Sequence, residues 1–114
     1  METITLNEIA RAVDGEIVLK GEVQEYNYIC TDTRKINKGD IYIALKGENF
    51  NGNNFLMDAV FSGAGLCIID ELKFDLECIS NVSIVKVHDT KKALLYLAKY
   101  YRKKLRTKII GITG

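Results

Sequence analysis

The sequence contains no proline, a single histidine and three cysteines, and its charges nearly cancel. No stretch approaches the ~20 apolar residues of a membrane-spanning helix, and the acidic start METITLNE does not read as a signal peptide. A formal charge of +1 provides no global attraction to nucleic acid or to a membrane surface. Cys30, Cys67 and Cys78 are odd in number, lie in or beside apolar stretches and lack metal-ligand spacing. With His88 as the one histidine, they read as buried free thiols in a reducing cytoplasm rather than as a zinc site or a disulfide framework. The missing proline carries no functional reading.

What remains is one domain's worth of chain: 114 residues, 47% of them apolar and spread along the whole length, enough to bury a core. Thr5-Leu-Asn-Glu8 fits a capping box, after which Leu6, Ile9, Ala10 and Val13 recur at helical spacing until Gly15. Strands are predicted over Glu16–Leu19, Tyr26–Cys30, Ile41–Leu45, Leu66–Ile69 and Val82–Val87. A helix from about Asn54 to Ser62 ends at Gly63-Ala-Gly65, which makes 41–69 a crossover unit with parallel neighbouring strands. Residues 72–81 are weakly patterned and read as a loop. Asp89 caps the longest helix, Thr90 to about Leu105, with Leu94, Leu97, Ala98, Tyr101 and Leu105 as its apolar stripe. The pattern predicts an α/β domain: a small, mixed, mostly parallel sheet flanked by helices.

The chemistry-bearing residues gather between Thr31 and Phe55. Asp32-Thr33-Arg34 and the turn Asn37-Lys38-Gly39-Asp40 precede the strand Ile41–Leu45. Lys46-Gly47 and Asn51-Gly52-Asn53-Asn54 follow it, and Phe55 opens a helical pattern. Donors and permissive backbone at the ends of a buried strand suit a ligand site, although composition alone favours a strand between two ordinary turns. Two loops at opposite ends of one strand would lie about 13–17 Å apart, so the 46–53 loop is expected to fold back across the sheet. The basic cluster Lys99, Arg102, Lys103, Lys104 and Arg106 reads as a solvated helix end complementing the helix dipole, not as an anion site. The chain closes on Lys108-Ile-Ile-Gly-Ile-Thr-Gly114, a β-branched strand running into a glycine turn of the kind that begins a phosphate loop.

Taken together, DTR, then GD, a short apolar strand ending in ALKG, then NG and F, resembles the N-terminal domain of the Mur ligases, which add amino acids to the UDP-linked peptidoglycan precursor. Thr33 stands where that family carries serine and keeps the hydroxyl; Asn51 and Asn53 stand for an aspartate and a histidine. The match extends to both ends of the chain, and several motifs in one order are more specific than any one. Within the family, ALKGE and the final helix are most similar to the MurF type, which joins D-Ala-D-Ala to UDP-MurNAc-tripeptide. The MurE type, which adds the third peptide residue, is the near alternative.

The resemblance implies a UDP-precursor-binding domain over 1–107, with 108–114 as the first strand and phosphate-loop start of a central ATP-binding domain. It implies a cytoplasmic, ATP- and Mg2+-dependent ligase with UDP-MurNAc-peptide and D-Ala-D-Ala as partners, and no nucleic-acid partner or membrane insertion. ATP would turn the precursor's carboxylate into an acyl phosphate open to amine attack, so residues 1–114 alone are expected to be inactive. Thr33, Lys46, Gly47, Asn51, Gly52, Asn53 and Phe55 are the expected contacts to the UDP moiety. Asp32, Arg34 and Asp40 are expected to structure the loops, and Thr113 and Gly114 to begin the ATP phosphate loop. A non-catalytic module that binds uridine nucleotides, or a Mur-like domain fused to another enzyme, are the readings from a different class.

Overall fold

The computed structural model describes residues 4–21, 26, 28–79 and 81–108, without the side chains of Cys78 and residues 104–108. In chain order the elements are α1 (Leu6–Ala12), β1 (Glu16–Leu19), β2 (Ile29–Cys30), β3 (Ile41–Ile43), α2 (Leu56–Ser62), β4 (Leu66–Ile69), β5 (Ser83–Lys86) and α3 (Thr90–Lys108). One five-stranded sheet has the order β1-β5-β4-β3-β2. Strands β2 to β5 pair in parallel, and β1 closes one edge antiparallel to β5. This is the mixed, mostly parallel sheet that the sequence predicts.

Both faces of the sheet are covered, which is why its strands read as apolar runs rather than as alternating patterns. Ile41, Ile43, Leu66, Ile68, Val85 and Val87 pack with α1 and α3 through Leu6, Ile9, Ala93 and Leu97. Tyr42, Ala44, Cys67, Ile69 and Ile84 pack on the other side with Leu56 and Ala59 of α2. Even Ser83 is fully buried; its Oγ accepts from the Gly21 N–H at 2.9 Å and from the Tyr26 hydroxyl at 3.4 Å. Of the thiols, Cys67 is buried and Cys30 half-buried, and both are free.

The capping box of α1 is formed, with the Glu8 N–H donating to Thr5 Oγ1 and the Thr5 N–H donating back to Glu8 Oε1. Asp14, not Gly15, takes the left-handed turn after α1, with φ 55°. Gly63 ends α2 as expected, with φ 106°. Within residues 72–81 a short 3-10 turn forms at Leu76–Cys78. Asp89 Oδ1 caps α3 by accepting from the N–H groups of Lys91 and Lys92.

Two expectations about α3 change. Its buried face centres on Ala93 and Leu97; Leu94, Leu97 and Tyr101 of the expected stripe pack there, and Ala93 and Tyr100 join them. Ala98 is only half-buried, while the Leu105 side chain lies outside the described residues. The Tyr100 hydroxyl donates to Glu8 Oε2 at 2.5 Å and ties α3 to α1. The helix also continues through Lys108, beyond the expected end at Leu105 and into the first residue assigned to the following strand. Thr113 and Gly114, the expected phosphate-loop start, lie outside the described residues. Among the described residues no helix is long and apolar enough to cross a membrane.

Candidate functional site

Parallel pairing decides where the polar loops meet. Ile29 lies opposite Ile41 and Cys30 opposite Tyr42, so β2 and β3 run side by side in one direction. The segment leaving β2, Thr31–Lys35, and the segment leaving β3, Ala44–Phe55, therefore emerge at the same carboxyl edge, where open α/β sheets place ligands. The expected separation of these loops across the length of β3 is thus corrected: only the return turn Asn37–Asp40 sits at the far end of β3. The 46–53 segment does reverse sharply, through an antiparallel bridge between Lys46 and Asn51. Its N–H groups are engaged within the turn, Gly47 to Phe50 O and Gly52 to Leu45 O, each at 2.7 Å. Neither glycine N–H is left to meet a diphosphate.

Gly52 is buried against the end of β3. A Cβ there would stand 2.8 Å from Ala44 Cα and from the backbone N and O of Leu45. The Tyr42 hydroxyl donates to Gly52 O at 2.9 Å and clamps the loop from beneath. Burial pushes the Tyr42 pKa up to about 12, so the hydroxyl remains a donor at neutral pH.

A cavity of about 640 Å3 opens between the two segments, lined by Thr31–Arg34 on one side and Phe50 and Phe55 on the other, with Tyr42 and Asp58 completing it. The two phenylalanine rings stack, centroids 5.4 Å apart and 18° from parallel. They stay 46% and 37% exposed, an unusual cost for large apolar rings unless something covers them. A second depression of about 340 Å3 lies on the other side of Phe50, lined by Lys46, Gly47, Asn51 and Glu71 among others.

The polar residues fall into two groups. Asn53 is 1% exposed, and its amide is saturated. Nδ2 donates to Asn51 Oδ1 at 2.8 Å and to Asp70 Oδ1 at 2.7 Å, while Oδ1 accepts from the N–H groups of Asp70 and Glu71. Two donors and two acceptor sites are all an asparagine amide has, so the expected contact from Asn53 to UDP has no atom to make it. Asn51 Oδ1 likewise receives the Asn53 N–H at 2.9 Å, and its Nδ2 donates to Glu71 Oε1 at 3.3 Å. Lys46 is not bare either: its Nζ pairs closely with Glu71 and lies 3.6 Å from Asp70. The hydrogen bond to Glu71 raises the lysine pKa.

On the facing loop, Asp32 and Arg34 hold each other. Asp32 Oδ1 accepts from the Arg34 N–H at 2.9 Å and from Nε at 3.1 Å, and Oδ2 accepts from Nη2 at 3.0 Å. Arg34 pairs with Asp32 rather than with Asp40. Asp40 is buried and caps its own turn, its Oδ2 accepting from the Asn37 N–H at 2.9 Å. The Arg34 side-chain hydrogen bond, then the Arg34 backbone N–H, hold the Asp32 carboxyl at about 2, against an ordinary 3.8. A lowered carboxyl pKa contributes stability that is present above pH 3.8 and is lost as the pH falls through about 2. Arg34→Met is therefore expected to return the Asp32 titration toward 3.8, read from its side-chain carboxyl carbon by NMR.

Thr33, Phe55 and the 46–52 loop thus reach one edge of the sheet, while Asn53 serves its framework. Phe50, Tyr42, Asp58, Asp70 and Glu71 escaped the sequence reading. Phe50 had a signal, an aromatic inside a polar loop; Asp70 and Glu71 had only their place after β4, whose adjacency to β3 puts them beside Asn53 and Lys46.

A mostly parallel sheet with an aromatic-lined cavity at its carboxyl edge defines a small α/β domain with a concave candidate site. Relatives narrow this. Over 111 residues, 96% of this chain, it is 35% identical to the UDP-N-acetylmuramoyl-L-alanyl-D-glutamate--2,6-diaminopimelate ligase of Clostridium perfringens (strain 13 / Type A). It is 34% identical over 111 residues to the UDP-N-acetylmuramoyl-tripeptide--D-alanyl-D-alanine ligase of Bacillus subtilis (strain 168). The fold matches a crystal structure of MurF from Acinetobacter baumannii with a TM-score of 0.75 and 29% identity, covering 93% of this chain and 22% of that one. No protein-family model matches. The chain is a Mur ligase homologue, corresponding to the N-terminal region of the MurE and MurF types. It spans 22% of the Clostridium perfringens protein and 24% of the Bacillus subtilis one.

Proposed function

We propose that this domain grips the UDP end of a UDP-N-acetylmuramoyl-peptide for a ligase that adds D-alanyl-D-alanine, leaving the peptide to reach chemistry performed elsewhere. The observation that carries the reading is the cavity itself. Stacked, half-exposed Phe50 and Phe55 face the Asp32–Thr33 loop across about 640 Å3, a volume suited to a small ligand. A flat, polar-edged uracil fits an aromatic wall opposed by hydrogen-bonding groups: the rings supply stacking, and the Thr33 hydroxyl supplies a donor or acceptor. The adjoining depression carries Lys46, a cation for the diphosphate.

In this reading ATP and magnesium act outside residues 1–107, and the domain contributes binding energy and position rather than a reacting group. The 35% identity to the diaminopimelate-adding enzyme supports a MurE-type ligase as the second reading. The two types share the UDP handle and differ in the amino acid joined, so this domain's role is common to both.

NMR titration of the labelled chain with UDP-MurNAc, with AMP as control, tests the reading. Shifts are expected at Thr33, Phe50 and Phe55, and Phe50→Ala should weaken binding at least about fivefold, the equivalent of one lost stacking contact. Thr33→Val removes one hydrogen bond and should weaken it about two- to tenfold. An equal response to AMP, or shifts confined to Lys99–Arg102, would overturn it.

A further inference from the structure

We propose that Glu71 is an exchangeable counter-ion for Lys46, one that yields the lysine to a phosphate group of an incoming nucleoside diphosphate and so makes binding selective for charged ligands. The proposal rests on the reading of the cavity as a nucleotide site and adds a residue that the reading itself does not need.

Lys46 Nζ is in close contact with Glu71 Oε1, and the two side chains are 42% and 37% exposed. The pair sits in the wall of the 340 Å3 depression that adjoins the aromatic cavity at Phe50. A ligand seated on Phe50 thus brings its next group toward Lys46. A half-exposed pair is weakly held in water and open to exchange. A phosphate carries more charge and more acceptor oxygens than one carboxylate, so it competes well for an ammonium.

Exchange also requires that the released carboxylate not be stranded, and the surroundings meet that need. Glu71 Oε2 lies 3.6 Å from Lys73 Nζ, and Oε1 accepts from Asn51 Nδ2 at 3.3 Å. Asp70, the second acid near Lys46, is already tied to Asn53 at 2.7 Å. The backbone of Lys46 is pinned by its bridge to Asn51, so only the side chain has to swing. The hydrogen bond to Lys46 and the nearby cations lower the Glu71 pKa, so the counter-ion is charged at neutral pH. The arrangement is a gate by charge: a neutral nucleoside can stack but offers nothing to exchange.

The test is a calorimetric comparison of UDP with uridine on the 114-residue chain, using Glu71→Gln, Lys46→Met and the double variant. Glu71→Gln should tighten UDP about two- to fivefold, the scale of one exposed ion pair, and leave uridine within about twofold. Lys46→Met should weaken UDP and abolish the gain in the double variant. If Glu71→Gln leaves UDP unchanged or weakens it, tightens uridine equally, or keeps its gain without Lys46, the exchange is refuted while the nucleotide site stands. If the unaltered chain binds neither UDP nor uridine, the nucleotide site itself fails and the exchange with it.

Discussion

Asn53→Ala is expected to lower folding stability by about 2–4 kcal/mol, a large effect for one polar residue in a loop. The side chain is buried, and its removal strands the Asp70 and Glu71 N–H groups and the oxygens of Asn51 and Asp70 that it serves. Each unpaired buried group costs about 1–3 kcal/mol, reduced where water can enter the space left behind. Asn53→Asp sharpens the test, since an ionised carboxylate keeps the acceptor but cannot donate and would face the Asp70 carboxylate. Both variants should shift the urea midpoint, with Asp at least as damaging as Ala at neutral pH and partly recovered on acidification. A ligand contact alone would leave the midpoint of the ligand-free chain unmoved, and that outcome would refute the framework role.

Gly52→Ala should cost about 1–3 kcal/mol and remove most ligand binding at the same time. The added methyl would lie 2.8 Å from three backbone atoms of Ala44 and Leu45. The backbone just past β3, held to β4 by the Ala44 N–H bond to Ile68 O, cannot step aside as a flexible side chain can. Relief requires the 46–53 loop to lift from β3. That breaks the Gly52 N–H bond to Leu45 O and the Tyr42 bond to Gly52 O. Because Phe50 and Phe55 flank Gly52 in sequence, the lifted loop carries the aromatic wall away from Thr33. Urea unfolding and the UDP titration should therefore change together in Gly52→Ala. Phe50→Ala, by contrast, should weaken binding with little loss of stability, because its ring is 46% exposed.

Local rules were legible wherever the signal and its partner lie within a few residues. Thr5 and Glu8 announced the cap of α1, Gly63 the stop of α2, Asp89 the start of α3, and the four-residue run Leu66–Ile69 a strand buried on both faces. The ordered motifs from Asp32 to Phe55 carried the family resemblance, and that resemblance named the stretch where the cavity lies. The expected stripe of α3 held at Leu94, Leu97 and Tyr101 but missed Ala93 and included the half-buried Ala98, because the two alanines are equally apolar. Only the position of α1 and the sheet chooses between them.

The sequence by itself determined the element types, their order, the mixed sheet and the residues from which a site would be built. Tertiary structure decided which of those residues line the cavity and which hold the loops. Whether the Asp32 and Lys46 segments share an edge depends on β2 running parallel to β3, a property of pairing between strands that no local pattern encodes. Whether Asn53 is a contact or a brace depends on β4 lying next to β3, which brings Asp70 and Glu71 within hydrogen-bonding distance across 17 or more residues of chain. An amide has a fixed number of donors and acceptors, and only the assembled fold shows how many of them are already in use.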